Sequence, residues 1–435
     1  LFISSNDGIT AGRNSAEKAL FPYYTADLVI HDASRTGGYT SIRVHTDEGL
    51  KLWRPLSNHY RGIYRVWKNA YKNAAGNRLI LEEVNEDLGL VFTVEWTSAK
   101  KEGIVRRCAL TNTSKHKIEL DILDGLLNVM PARISPEMQQ MKSVLVDGYR
   151  HTELDEETGL AMYNLGSKIV DKAEPSESLS SNVVWNAGLD RTAVLLSSAQ
   201  LPAFGAGEDI ENEPYVRGQK GAYLVQSFLE LNPSEIKEWV TVGDVDLSTA
   251  KVADTLAHLK SGRFSFESTI RGIDEGTLAL QKLVSMNDGQ QRTGDVSTEM
   301  RHHNNVLFNV MRGGLFRTGY DIKVKHLRGL VTHFNKEYAH VFDTRFTEAE
   351  LTYPEMLEKL KGIQHDGLKR LCTMYLPLSF SRRHGDPSRP WNRFYIQSDA
   401  DESGTYEGHS RGIFQDWESM SYSYPHLLLG MFLTF

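Results

Sequence analysis

Cysteine is nearly missing from this chain: there are two in 435 residues, Cys108 and Cys372. Both sit in apolar stretches far apart in sequence, so a disulfide framework is excluded and two buried thiols are expected. Zinc-type Cys/His spacing is absent as well. The neighbours His302 and His303 would point about 100° apart on a helix, which suits no bidentate site. Positive charge is not in excess, for 49 Lys and Arg face 56 Asp and Glu. A net charge of −7 leaves no basic face for nucleic acid. No apolar run approaches the roughly 20 residues that cross a bilayer. No Gly-rich phosphate loop, G-x-S-x-G elbow or dinucleotide fingerprint occurs. Internal repeats and low-complexity segments are also lacking.

Two regimes of hydrophobic pattern are present. Up to residue 245 the chain reads as β. Runs with period-two alternation cover 41–45, 79–84, 90–96, 103–111, 117–123, 183–186, 191–196, 222–231 and 236–242. Turn formers such as Gly76-Asn77, Asn112 to Lys115, Gly188 and Asn232-Pro233 separate them. Many strands with short turns predict a sandwich or barrel. The runs 91–96, 103–110 and 118–123 predict a meander, its last two strands joined by Thr111-Asn112-Thr113-Ser114-Lys115. Residues 202–218, Gly-rich and acidic, predict a long surface loop. The polar N-terminal stretch Ser5-Asn6-Asp7-Gly8 to Gly12-Arg13-Asn14 reads as an ordered pair of turns. The segment 53–67 (WRPLSNHYRGIYRVW) mixes aromatics with Arg at the edge of the β region.

Near Asp246 the period changes. Ser248 is placed as the N-cap of a helix over 249–259. Helices over 277–285 and 296–311 follow, with Gly313-Gly314 as a C-cap. Residues 315–345 read as mixed and partly extended, and 347–374 as a helix pair broken around Pro354 and Gly362 to Gly367. The expected order is a β domain over 1–245, a helical linker over 246–312, and the beginning of an all-α domain over 313–435.

The chemistry gathers at the end of the chain. Residues 379–397 read SFSRRHGDPSRPWNRFYIQ and 406–418 read YEGHSRGIFQDWE. Rings, carboxylates, guanidiniums and amides in Gly/Pro-containing loops are what a sugar pocket uses. The rings stack on pyranose faces and fork-shaped polar groups take hydroxyls. On a helical turn Arg411 and Gln415 share a side, with Asp416 adjacent, and the group would grip vicinal hydroxyls. Arg383, His384 and Asp386 form a second candidate group, suited to a sugar, to a phosphate or to bracing one another. Trp391, Arg393 and Glu407 complete the candidate binding set. No residue is singled out as the catalytic acid.

A β-sandwich, helical linker and all-α domain in that order, with Arg411-Gly412-Ile413-Phe414-Gln415-Asp416 in the part after the linker, resemble the cellobiose phosphorylase group (glycoside hydrolase family 94 and its clan relatives). The 105–122 region with its Thr-Asn-Thr-Ser turn is similar to that family's β domain. The resemblance implies a multidomain β plus α fold. Its parts are an N-terminal β super-sandwich of the galactose-mutarotase type, linker helices, and an (α/α)6 six-hairpin barrel that holds the active site. It implies an inverting glycoside phosphorylase acting on a gluco-oligosaccharide, with inorganic phosphate as co-substrate and no organic cofactor or metal. Arg411 and Asp416 would then hold hydroxyls of the sugar whose bond is broken. Gly412 departs from the family's Arg-Asp-x-x-Gln-Asp motif. The family's catalytic acid, in a Trp-Asn-Asp segment downstream, has no counterpart here, since Trp391-Asn392-Arg393 lies upstream of the motif. The chain is therefore expected to be the first part of a longer enzyme, inactive on its own. A hydrolase on the same scaffold and a non-catalytic carbohydrate-binding protein are the alternatives. An oligosaccharide partner, a homodimer, no nucleic acid or membrane partner, and a cytoplasmic location complete the expectations.

Overall fold

The computed structural model describes residues 2–10, 18–22, 36–58, 62–167, 169, 179–287, 289–313, 321–375, 393–396 and 406–409; for the last two segments the backbone alone is described. The chain divides into two compact units, 1–276 and 277–435.

The first unit is built from antiparallel strands. In chain order they are β1 (Phe2–Ile3), β2 (Ile9–Thr10), β3 (Gly37–Thr46), β4 (Gly49–Trp53), β5 (Val66–Lys72), β6 (Leu79–Asn85), β7 (Leu90–Ala99) and β8 (Gly103–Asn112), then β9 (Ile118–Val129), β10 (Arg150–Asp155), β11 (Leu160–Leu165), β12 (Ser180–Ala187), β13 (Ala193–Leu195), β14 (Tyr215–Arg217), β15 (Gly221–Leu231) and β16 (Ile236–Ser248). Among the described residues β1 and β2 pair with each other, and the rest form a nine-stranded sheet, ordered β14-β10-β11-β12-β16-β8-β7-β6-β5, and a five-stranded sheet, ordered β13-β15-β9-β3-β4. All nine strands expected from alternation are present, most of them longer than the alternating run.

One core fills the space between the two sheets. Phe92, Val94 and Trp96 of β7, Cys108 and Leu110 of β8, and Trp239 of β16 meet Ile42 of β3, Leu120 and Ile122 of β9, and Tyr223 and Val225 of β15. This is the period of two at work, since every second side chain of a strand faces the opposite sheet. Where both faces of a strand are covered the alternation vanishes. β9 is buried almost throughout after Asp121, because the helix Leu201–Ala206 packs Phe204 on its outer side against Leu123, Leu195 and Leu224.

The expected meander is not formed. β7 and β8 pair, but β9 crosses to the other sheet and lies between β15 and β3. The far edge of β8 is taken by β16, from Ile236↔Thr111 to Gly243↔Ile104. Asn112 makes the crossing. It is buried, and its amide donates to His116 O at 2.7 Å and Leu231 O at 2.9 Å, while Ser114 N donates to its Oδ1 at 2.9 Å. A short turn between two alternating runs looks the same in sequence whether the chain stays in one sheet or changes sheets.

Residues 202–218 are more ordered than a surface loop. They hold most of the helix Leu201–Ala206, with Pro202 in its first turn and Gly207 at φ 87° as its left-handed cap, and strand β14.

Ser248 caps the helix Thr249–Lys260. The next helix, Phe266–Ser285, begins eleven residues before the expected start and runs past the division between the units. Within the first unit, Val252 and Ile273 of these helices cover Val183, Trp185, Val240 and Val242 on the outer face of the nine-stranded sheet.

The second unit contains the helix Val296–Gly313 and a small helical core. The segment expected to be partly extended forms the helices Val324–Phe334 and Tyr338–Arg345, preceded by β17 (Asp321–Lys323), which pairs with β18 (Glu350–Thr352). Pro354 does not break a helix but starts one. It lies in the first turn of Tyr353–Lys361, where Thr352 and Glu355 form a reciprocal capping box. The helix Asp366–Met374 completes a core of Leu327, Val331, Phe342, Met356, Leu368 and Cys372. β19 (Arg393–Ile396) pairs with β20 (Tyr406–His409). Among the described residues no helix is long and apolar enough to cross a membrane.

Candidate functional site

Parts of the two segments expected to form a sugar pocket, 393–396 and 406–409, pair as a β-ribbon. Arg393 stands opposite His409, Phe394 opposite Gly408, Tyr395 opposite Glu407 and Ile396 opposite Tyr406. Directly paired residues of antiparallel strands share a face. The register therefore places Arg393, Tyr395, Glu407 and His409 on one face and Phe394, Ile396 and Tyr406 on the other. Arg393 and Glu407 are diagonal neighbours, about 7–8 Å apart by the geometry of such pairs. This joins two of the nine candidate residues from segments ten or more positions apart. Arg383, His384, Asp386, Trp391, Arg411, Gln415 and Asp416 lie outside the described residues.

The first unit has a cleft of about 580 Å³ that holds none of the candidates. Its floor is Trp185 of β12, stacked under Phe264 with ring centroids 5.9 Å apart and planes 8° from parallel. Asp244 and Asp246 at the end of β16, Lys251, Asp254 and Thr255 on the first turns of the helix Thr249–Lys260, and Lys18, Lys101 and Glu102 form the walls. Asp246 is committed. Its carboxylate lies 3.0 Å from Lys18 Nζ and 2.7 Å from Arg133 Nε. Burial alone would push its pKa up, but those two partners outweigh it and hold it below the ordinary carboxylate value. Glu102 is 7% exposed and accepts from Lys101 N at 3.2 Å. The backbone of Gly272 comes so close that a Cβ there would stand 2.7 Å from Glu102 Oε2. The sequence signal for this cleft is faint: two Asp on alternate positions of a strand, just ahead of a helix cap.

A third cluster is sealed inside the sandwich. Arg106 of β8, 1% exposed, reaches across the core to Asp124 of β9, 0% exposed. Arg106 Nη1 lies 2.8 and 2.9 Å from the two Asp124 oxygens, and Nε and Nη2 donate to Asp7 Oδ2 at 3.1 and 3.0 Å. Trp239 Nε1 donates to Asp124 at 2.7 Å, Thr40 Oγ1 at 2.6 Å, and Trp96 Nε1 to Asp7. The Ser5 to Gly8 turn is ordered, and its purpose is to insert Asp7, at φ 65°, into the core. Ser4 Oγ accepts from Gly8 N at 3.1 Å to hold it. Burial raises the Asp7 carboxyl above its ordinary value against the pull of Arg106 and Trp96. A raised carboxyl is what a general acid needs, but this one is 4% exposed with both oxygens engaged. The network braces the two sheets and the N-terminal turn. Burial likewise pushes the Cys108 thiol up, and Cys372 up to about 12; both thiols are free and buried.

No family model and no curated protein sequence matches the chain. Among solved structures it is similar to a protein described as a kojibiose phosphorylase from human microbiome, at TM-score 0.35 and 8% identity over 67% of this chain and 36% of that one. It is similar to a polysaccharide lyase at TM-score 0.31 and 11% identity, over 51% and 28% of the two chains. It is similar to a bacterial glucoamylase complexed with acarbose at TM-score 0.39 and 10% identity, over 100% and 66%. The chain spans about a third of the length of the first of these proteins and less than two thirds of two of them. Likeness at this level carries neither a family nor an activity over to this chain.

Proposed function

We propose that this chain belongs to a carbohydrate-active protein of the glycoside phosphorylase type. Its antiparallel first unit is a β super-sandwich, the helices after Ser248 are a linker, and the second unit is the start of a six-hairpin barrel. Residues 379–418 hold the sugar. Arg411, Gln415 and Asp416 take hydroxyls of the donor sugar, and Trp391, Arg393, Glu407, Arg383, His384 and Asp386 are the further sugar-binding residues. The observation that supports this most is the β19–β20 register, which gives Arg393, Tyr395, Glu407 and His409 a common face two residues ahead of Arg411. A guanidinium, a phenol, a carboxylate and an imidazole on one ribbon face form a set that binds a polyol by paired hydrogen bonds.

In the reaction, phosphate attacks the anomeric carbon while a carboxylic acid protonates the leaving oxygen, with inversion. None of the nine residues is given the acid's role. The test is product analysis of the chain, and of its full reading frame, with β-linked gluco-oligosaccharides with and without phosphate. Sugar 1-phosphate formed only when phosphate is present supports the reading. Free sugar released at the same rate without phosphate replaces it with hydrolysis. A second reading, a non-catalytic carbohydrate-binding protein, is favoured by Gly412 standing where the family motif has Asp. Binding without any product from either form would select it.

A further inference from the structure

The segment 53–67 ends on Trp67, which the donor site does not use. Trp67 lies on β5, the edge strand of the nine-stranded sheet, and is 64% exposed; Tyr71, four residues on, is 50% exposed. Residues of equal parity share a face, so Trp67, Asn69 and Tyr71 stand in a row on the outer side. Their partners on β6 are Val84, Glu82 and Ile80. Four steps at about 3.3 Å put the α-carbons that carry the two rings about 13 Å apart.

The row is anchored from both sides. Trp67 Nε1 donates to Glu86 Oε1 at 2.8 Å, and Glu82 Oε1 accepts from Asn69 Nδ2 at 2.9 Å and Tyr71 OH at 3.1 Å. On the inner side Lys68 Nζ lies 3.4 Å from Glu83, which is itself held by Trp53 Nε1 at 2.9 Å and Leu56 N at 2.8 Å. The helices that cover the outer face pack on β12, β16 and the far ends of β7 and β8, which leaves these rings in solvent.

We propose that the Trp67–Tyr71 row is a binding platform for a neutral glycan chain several pyranoses long, built from residues the donor-site reading does not use. Two fixed rings with an amide and a carboxylate between them match a ligand with repeated apolar faces and hydroxyl edges. The spacing takes an oligomer rather than one sugar. Glu82 and Glu86 disfavour nucleic acid and other anions. Lys68 and Lys72 on the edge strand oppose strand-to-strand pairing with a second copy.

The test is affinity electrophoresis of the full chain through native gels containing amylose, hydroxyethyl cellulose or mixed-linkage β-glucan. At least one gel should slow the protein. Trp67→Ala and Tyr71→Ala should each weaken that retardation about tenfold, Trp67→Phe should keep most of it, and Phe228→Ala, an exposed ring on β15 of the other sheet, should leave it unchanged. The urea midpoint of Trp67→Ala should match the parent, since the ring is exposed. No retardation in any gel overturns the proposal. So does retardation insensitive to both ring variants, and if that retardation is lost in Arg411→Ala the donor site alone accounts for it. A concentration-dependent dimer in sedimentation that Trp67→Ala abolishes would assign the face to a second copy and overturn it too.

Discussion

Replacing Asp124 with Ala should be among the most damaging single changes in the first unit. The carboxylate accepts from three buried donors, Arg106, Trp239 and Thr40. Breaking a buried ion pair costs about 3–5 kcal/mol, and a buried N–H left without an acceptor, here Trp239, about 1–3 more. Asp7 still faces Arg106 at 3.0 Å, which keeps the total toward the low end, on the order of 4–6 kcal/mol. Domains are stable by about 5–15 kcal/mol, so about a quarter or more of the stability should go. In urea, with a slope of about 3 kcal/mol/M, the midpoint should fall by roughly 1–2 M. Trp96 and Trp239 sit in the network, so tryptophan fluorescence reports its loss. The control is Glu119→Ala on the same strand, whose ion pair with Lys117 is about half exposed; it should move stability by less than about 1 kcal/mol. Arg106→Met should cost less in the Asp124→Ala background than in the parent, because one of its two ion pairs is then already broken and only that with Asp7 remains to be lost. A midpoint within about 0.3 M of the parent for Asp124→Ala would refute the argument that this cluster braces the sheets, since that shift is under about 1 kcal/mol.

Three further outcomes follow from the same structure. Asp7 is raised by burial, so its protonated form is favoured in the folded state. Its contribution to stability is full below the ordinary value of 3.8 and is lost as pH rises through the folded value. Urea midpoints of the parent minus those of Asp7→Asn should therefore fall as pH increases over that window; a constant difference would contradict it. Asp246 has the opposite sign. Lowered by Arg133 and Lys18 against burial, it adds stability above 3.8 that disappears as pH falls through its folded value, and Asp246→Asn should abolish that part of the acid dependence. Gly272→Val should cost about 1–3 kcal/mol in thermal or urea unfolding, because a Cβ there meets Glu102 Oε2 at 2.7 Å and Ala99 at 3.1 Å; an unchanged midpoint would mean the helix does not dock as closely as described.

Much of the fold was legible because each strand of the sandwich has one face in the core, so alternation survives in the sequence, as in Phe92, Val94 and Trp96. The sheet to which each strand belongs was not. Asn112 turns the chain from one sheet to the other through hydrogen bonds to residue 231, a partner no local pattern reveals. Helix ends were read well where a side chain caps them, at Ser248. They were misread where Pro354 could start or stop a helix. The buried cluster was hidden for a different reason: Arg106 and Asp7 read as surface residues until Asp124 is placed opposite them. Of the proposed sugar-binding residues, Arg393 and Glu407 were named from composition alone, and only the ribbon register brings them to one face.

The most direct test of the sugar-binding assignment is a calorimetric titration with β-linked gluco-oligosaccharides of a full-chain parent that already carries Trp67→Ala and Tyr71→Ala, so that the ring row does not contribute, repeated with Arg411→Ala and with Arg393→Ala added. Saturable binding in the parent, lost in Arg411→Ala and weakened about tenfold in Arg393→Ala, is the predicted result. No heat of binding with any oligosaccharide, or binding that both variants retain, would contradict it.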